Sequence, residues 1–330
     1  MSRALRVSLL IVGVGGVGVF LLLLWQFKPV ASQPVYGATF SPAYARFLGL
    51  DPYQVLPAML AELPLQQIRV PIHWDEIQPA PKQARLDELD WIMAEAAKHD
   101  VGVILAIGNK VPRWPECYTP DWAEQLPEAE YEQALLEYID LLVTRYRSHR
   151  ALLRWQVENE ALFPFGVCPQ INYALVKQEI DTVRNLDPEH PIQLTVSGEQ
   201  QLWATQAKDA DVIGASMYRK VALPNGWMFT FPIPARLYAL QALSISWFVD
   251  ATVISELQAE PWLTQDYRDY SLEEAAALFT PVQLQTYLRY AQRTGLTEIS
   301  LWGVEWWYYL KQNGQPDLWN AGVELLKTKN

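Results

Sequence analysis

Cysteine, histidine and methionine are scarce in this 330-residue chain, at 2, 4 and 5 residues. Two cysteines cannot build a disulfide framework; a single bridge between Cys117 and Cys168 and a pair of unrelated thiols both stay open. The histidines, His73, His99, His149 and His190, are scattered, with no cluster of Cys or carboxylate ligands beside them. That leaves a metal hydrolase without support, and neither a metal nor a cofactor is expected. Basic residues are also in deficit, 26 against 37 acidic groups for a net charge of -11. Three of the 26 (Arg3, Arg6, Lys28) fall in the first 32 residues, which hold no acid, so the remainder carries 23 against 37. A body this acidic is repelled by phosphate backbones, which argues against nucleic acid as a partner. No glycine-rich phosphate loop follows an early strand, since Gly13-Val14-Gly15-Gly16 lies inside an apolar stretch, so a doubly wound open sheet is disfavoured. Neither a Walker loop nor a Ser-centred nucleophile elbow is present.

Apolar residues, by contrast, make up 50% of the chain and aromatic ones 12%, ample for a full-sized core. Between Arg6 and Lys28 lie 21 residues in which only Ser8 and Gln26 are clearly polar, roughly 31 Å if helical and long enough to span a bilayer. With Arg3 and Arg6 ahead of it, the segment reads as a signal anchor over 1–28. The body would then be held on the membrane, outside the cytoplasm. A cleaved signal peptide ending near Val30-Ala31-Ser32, which would secrete the body, competes with it. A short stalk, 29–35, would lead into a single domain over 36–330, because no Pro/Ser/Gly-rich linker or charge run divides the rest.

From Tyr36 onward, short β-branched runs alternate with amphipathic stretches of helical period, the pattern of repeated βα units around a parallel sheet. The runs are Tyr36 to Phe40, Gln67 to Ile72, Gly102 to Ile107, Leu153 to Val157, Ile192 to Val196, Val212 to Ser216, Thr252 to Ser255 and Glu298 to Leu301. Eight such pairs predict an α/β fold, one (β/α)8 TIM barrel preceded by a single N-terminal transmembrane helix.

A barrel of this kind works at the C-terminal ends of its strands. There the sequence places Arg69 and His73 after strand two, Asn109 after strand three, Asn159-Glu160 after strand four, Tyr218 after strand six, Glu256 after strand seven and Trp302 after strand eight. In this order the residues resemble the retaining (β/α)8 glycoside hydrolases of clan A, the group that includes cellulases, mannanases and family 42 β-galactosidases. The stretch Trp74-x-x-Ile77-Gln78-Pro79 resembles a motif of several members. Ser216 and Asn109 stand where many relatives carry histidine, a departure that bears on the substrate.

The resemblance implies Glu160 as acid/base and Glu256 as nucleophile, two carboxyl groups in unequal environments. Arg69 and Tyr218 would stabilise ionised Glu256, whose charge would hold Glu160 protonated. Asn159 would donate to the sugar 2-hydroxyl, Trp302 would offer an apolar face to the glycone, and His73 and Asn109 would line the site. The implied partner is an oligo- or polysaccharide of an extracytoplasmic glycan. A transglycosidase using the same intermediate, a non-catalytic carbohydrate-binding barrel and an envelope scaffold are the alternatives. Glu260 competes with Glu256, and Glu199 and Glu305 read equally as site residues or solvated loop carboxylates. Of 14 tryptophans, Trp114, Trp227, Trp262, Trp302, Trp306 and Trp307 fall near the catalytic side, half of them expected in ordinary packing. The aromatic stretch from Gly226 to Phe248 reads either as a helix packed on the barrel or as an interfacial segment.

Overall fold

The computed structural model describes residues 34–169, 172–223 and 226–327. Eight parallel strands close into a barrel: β1 (Val35–Thr39), β2 (Gln67–Pro71), β3 (Gly102–Ile107), β4 (Leu152–Val157), β5 (Ile192–Ser197), β6 (Val212–Met217), β9 (Ala251–Gln258) and β10 (Glu298–Trp302). The ring order is β1-β10-β9-β6-β5-β4-β3-β2, closed by pairing of β1 with both β10 and β2. A short antiparallel hairpin of β7 (Lys220–Ala222) and β8 (Met228–Thr230) stands apart between β6 and β9. Each of the eight expected runs corresponds to one barrel strand.

Alternation within the strands decides what faces the helices. Ile68 and Val70, Val103, Leu105 and Ile107, Trp155 and Val157, Leu194 and Val196, Ile213, Ala215 and Met217 all join the apolar core at a spacing of two. In β9 the step is from Ile254 to Leu257, three residues, because the strand carries a bulge at Ser255. Ala215 pairs with Ile254, but Ser216 pairs with Glu256. Room for the bulge comes from Gly214, where a Cβ would stand 2.7 Å from that of Ser255. Bulges of this kind re-aim side chains beside active sites.

The barrel interior is polar rather than packed with branched apolar side chains. At its N-terminal end Arg154 pairs with Glu298 at 2.5 Å and donates to Gln193 at 2.9 Å, while Gln67 donates to Glu298 at 3.0 Å. Gln193 in turn donates to Gln156 at 3.2 Å, which leads to the C-terminal layer.

The expected transmembrane helix is not supported. Among the described residues no helix is long and apolar enough to cross a membrane. The longest, Glu128–Tyr146, spans 19 residues but carries Glu132, Glu137, Asp140 and Arg145. The span placed on residues 1–28 lies outside the described residues, and with it the membrane partnership and the anchored, extracytoplasmic placement lose their support. The stretch after β6 does form a helix on the barrel, Ala235–Ile245, which buries Tyr238 and Ile245; Trp247 beyond it is 92% exposed.

Cys117 and Cys168 are bridged, with Cα atoms 5.3 Å apart, and join the loops after β3 and β4 across 51 residues of sequence. By chain entropy, replacing both with Ser is expected to lower the unfolding free energy by about 2–4 kcal/mol. Guanidinium denaturation, read as a fall in midpoint at unchanged slope, checks this.

Candidate active site

Arg69 on β2 is fully buried inside the barrel mouth and reaches three other strands. Its Nε donates to Thr39 Oγ1 on β1 at 3.0 Å, one terminal nitrogen to Gln156 Oε1 on β4 at 3.3 Å, and the other to Glu256 Oε1 on β9 at 2.6 Å. The second oxygen of Glu256 accepts from the Tyr218 hydroxyl at 2.7 Å. A cation and a phenol thus occupy both oxygens of a carboxylate that is 4% exposed, a pair of strong, short donors that fixes its orientation.

Glu160 meets a different environment. Its Oε1 accepts from the Ser216 hydroxyl at 2.5 Å, and Ser216 is the residue that the β9 bulge sets level with Glu256. Burial, and next the charge of Glu256, push the Glu160 carboxyl up to about 7. The turn that carries it is strained, with Glu158 at φ 55° and Glu160 at φ 43°, a conformation that costs a non-glycine residue roughly 1–2 kcal/mol. Several contacts hold that turn. Glu158 accepts from the backbone N–H of Asn109 at 2.6 Å and Lys110 at 2.7 Å. Gly108 permits this approach, since a Cβ there would meet Glu158 Oε1 at 2.3 Å. The buried Lys110 ammonium donates to the carbonyls of Glu160 at 3.1 Å and Phe163 at 2.8 Å. Thr195 Oγ1 accepts from the Glu160 N–H at 2.8 Å and donates to Asn159 Oδ1 at 3.1 Å.

The structure therefore brings Arg69, Asn159, Glu160, Tyr218 and Glu256 into one network through Thr195, Gln156 and Ser216. Trp302 borders it, its ring centre 5.7 Å from the Arg69 guanidinium, but it is only 8% exposed and carries the guanidinium of Arg113 at 4.0 Å. His73 and Asn109 form a neighbouring cluster. The His73 ring stacks on Tyr118 at 3.6 Å and is held neutral, burial pushing it down to about 3. Asn109 Oδ1 accepts from Thr119 at 2.8 Å, and the residue lines a cavity of about 190 Å³ with Tyr131, Glu158 and Glu179.

Other buried carboxyls surround the pair. Glu260 is ion-paired to Arg113 at 2.5 Å and accepts from Tyr44 at 2.7 Å. Glu199 and Glu305, for which a solvated reading was open, are not solvated loop groups. Glu199 accepts from the Tyr218 N–H and the Tyr238 hydroxyl, and Glu305 from the Ser41 N–H at 2.7 Å. Burial raises Glu199 to about 8 and Glu305 to about 7. Lys110, Arg113, Glu116 and Thr195 were not anticipated, since nothing in local periodicity marks them; Ser216 was seen only as a departure from relatives. Among the described residues no group of three or more His, Cys, Asp or Glu could hold a metal ion.

An eight-stranded parallel barrel with two closely braced carboxyls at its C-terminal mouth defines the class to which the comparisons point. The family model for glycosyl hydrolases family 2, TIM barrel domain, matches residues 87–239. The probable mannan endo-1,4-β-mannosidase F of Neosartorya fischeri is 20% identical over 195 residues, 55% of this chain and 42% of that protein. The mannan endo-1,4-β-mannosidase F of Aspergillus clavatus is 23% identical over 151 residues, 42% of this chain and 34% of that one. The chain thus aligns with less than half the length of these curated relatives. Among solved structures, a β-galactosidase from Rahnella sp. R3 superposes with a TM-score of 0.61 at 13% identity, covering 91% of this chain and 56% of that one. A GH5_18 structure from Streptomyces cattleya in complex with GlcNAc gives 0.60 at 14% identity, covering 82% and 70%. Over residues 87–239 the chain is thus similar to a glycoside hydrolase TIM-barrel domain, and in its fold to solved glycoside hydrolase barrels.

Glu158, Glu160 and Glu305 titrate at about 7 and Glu116 and Glu199 at about 8, all above the ordinary value of 4.5. Between those limits the folded state binds more protons than the unfolded one, so stability falls as pH rises. Denaturant midpoints measured from pH 5 to pH 8 are expected to decline, and less steeply in Glu199→Gln. A flat or rising profile in the parent protein would contradict these shifts.

Proposed function

We propose that this barrel is a retaining O-glycosyl hydrolase that cleaves oligo- or polysaccharides by double displacement, with Glu256 as nucleophile and Glu160 as acid/base. The observation that carries this reading is the inequality of two carboxyls on adjoining supports. Glu256 is held between a guanidinium and a phenol, while Glu160 has one hydroxyl donor and a raised pKa of about 7. In the first step an oxygen of Glu256 attacks the anomeric carbon. The glycosidic oxygen leaves with the proton of Glu160, and a covalent glycosyl ester forms. Glu160, now ionised, then takes a proton from water as the water oxygen attacks the same carbon and releases Glu256.

Arg69 and Tyr218 position Glu256 and moderate its charge before attack. Asn159, its Oδ1 engaged by Thr195 and Gln156, keeps its amide N–H groups for the sugar 2-hydroxyl. Trp302 bounds the glycone, and His73 and Asn109 line the flank after β2 and β3. β-1,4-Mannans are a rational first substrate class, given the names of the curated relatives.

The test is mass spectrometry of the protein after exposure to 2-deoxy-2-fluoro glycosyl donors. An adduct mapping to Glu256, absent in Glu256→Gln, is expected; an adduct on another residue, or inversion of configuration in the product, would refute the assignment. For an accepted substrate, kcat/KM should fall as pH rises through about 7, because the required proton on Glu160 is lost. Glu160→Ala should lose about 10²–10⁴ in rate on substrates with poor leaving groups and far less on activated aryl glycosides.

A further inference from the structure

In the ring of eight strands, β3 and β9 lie four positions apart whichever way one counts, so they face each other across the barrel mouth. Yet Arg113, from the loop after β3, pairs with Glu260 just beyond β9 at 2.5 Å. The same guanidinium stands 3.6 Å from Glu305, after β10. It also lies over two rings, 3.5 Å from the centre of Tyr44 and 4.0 Å from that of Trp302. Contacts with the opposite rim require this loop and its arginine together to cross the mouth.

The loop is built to hold that course. Lys110 and Cys117 pair as an isolated bridge at its neck. Within it the Val111 N–H donates to the Glu116 carbonyl at 2.9 Å and the Glu116 N–H to the Arg113 carbonyl at 2.6 Å. Arg113 and Glu116 both adopt left-handed backbone, at φ 98° and 75°, a conformation that persists in bulky residues only where surrounding contacts impose it. At the near side the loop is cross-linked by Cys117–Cys168 to the loop after β4. There the Val167 N–H donates to the Pro115 carbonyl at 2.9 Å. The result is a strap fastened at both rims, beneath which Glu160 and Glu256 are 6% and 4% exposed.

We infer that the strap from Lys110 to Cys117 walls off the glycone end of the site and limits cleavage to the non-reducing terminus of a saccharide. Direction follows from chemistry. The residue that protonates the leaving group is Glu160, and its own loop carries Phe163 and Phe165 outward to Trp262, with Phe165 and Trp262 ring centres 6.2 Å apart. The strap's Trp114 meets that same edge, its ring centre 6.0 Å from that of Phe165, so the near end of the strap borders the leaving-group side and Arg113 closes the far end. Arg113 instead sits on Trp302, the ring that bounds the glycone, so a second glycone sugar would have to occupy the volume of the strap. Terminal action would set this chain apart from the endo action in the names of its mannan relatives.

This inference rests on the retaining-hydrolase reading, and one experiment separates the two. The full-length protein is given reducing-end-labelled β-1,4-manno-, xylo- and galactohexaose, and early products are sized. Appearance of the labelled pentamer alone at early times is the expected result for the wild type. In Arg113→Ala/Glu260→Gln, which removes both charges of the latch, shorter labelled products should appear at early times. Internal cleavage by the wild type would overturn the strap while leaving the hydrolase intact, and that result does not depend on the variant folding. Strictly terminal cleavage by a folded variant would also overturn it. No turnover, combined with no fluoro-sugar adduct on Glu256, would refute the hydrolase reading and this one with it.

Discussion

The buried charge of Arg69 is the constraint around which the barrel mouth is arranged. A guanidinium with no solvent exposure is tolerable only if its donors find partners and its charge finds a counterion. Thr39, Gln156 and Glu256 meet that requirement from three different strands. The same pairing gives Glu256 its cationic neighbour, so the contact that satisfies the buried guanidinium also holds the carboxylate proposed as nucleophile. Gln156 extends the constraint downward through Gln193 to the Arg154 and Glu298 pair. The interior is therefore one polar column, and each member restricts its neighbours' rotamers.

From that column the difference between the two central carboxyls follows. Glu256 has a cation within hydrogen-bonding distance; the nearby ammonium of Lys110 is spent on backbone carbonyls beneath Glu160 instead of on its carboxylate. Burial and the facing negative charge then act on Glu160, opposed by the Ser216 hydroxyl and, more weakly, by the charges of Lys110 and Arg69. Glu158 and Glu179 repeat the motif one layer behind: both are buried, and desolvation raises both. Burial thus disfavours charge on that hidden pair, behind the turn on which Glu160 rides.

The repeating architecture was legible because its cause is local. Alternation by two and by three or four follows from strand and helix geometry, and the strand runs fall on the observed strands. The carboxylate and arginine positions were legible because they sit at strand ends. The β9 bulge was not, since an extra residue in Val253-Ile254-Ser255-Glu256 leaves no mark in the apolar pattern until the neighbours Ser216 and Leu301 fix the register. Ser216 read as a missing histidine, yet it is the donor to Glu160. Glu199 and Glu305 were ambiguous for a similar reason: a loop carboxylate is buried or solvated according to partners distant in sequence, here Tyr238 and Ser41. The strap was illegible altogether, because no periodicity encodes a loop that crosses a barrel. The apolar run of 1–28 pointed to a membrane by length alone, a criterion that no described helix meets.

In the proposed reading, chemistry and selectivity rest on different parts of the chain. Arg69, Asn159, Tyr218 and Glu256 project from strands or the turns that end them, where pairing on both sides fixes each backbone, and they could serve many sugars unchanged. The far end of the strap depends on a few contacts of Arg113: its pairs with Glu260 and Glu305 and two ring faces. Such contacts can change without disturbing the column below, because Glu260, Glu305 and Tyr44 make no hydrogen bond to Arg69 or Glu256 among the described residues. Trp302 is where the two parts meet. Its ring lies near Arg69 and against Arg113, so in the proposed reading the shape offered to a glycone is set jointly by the polar column and the strap.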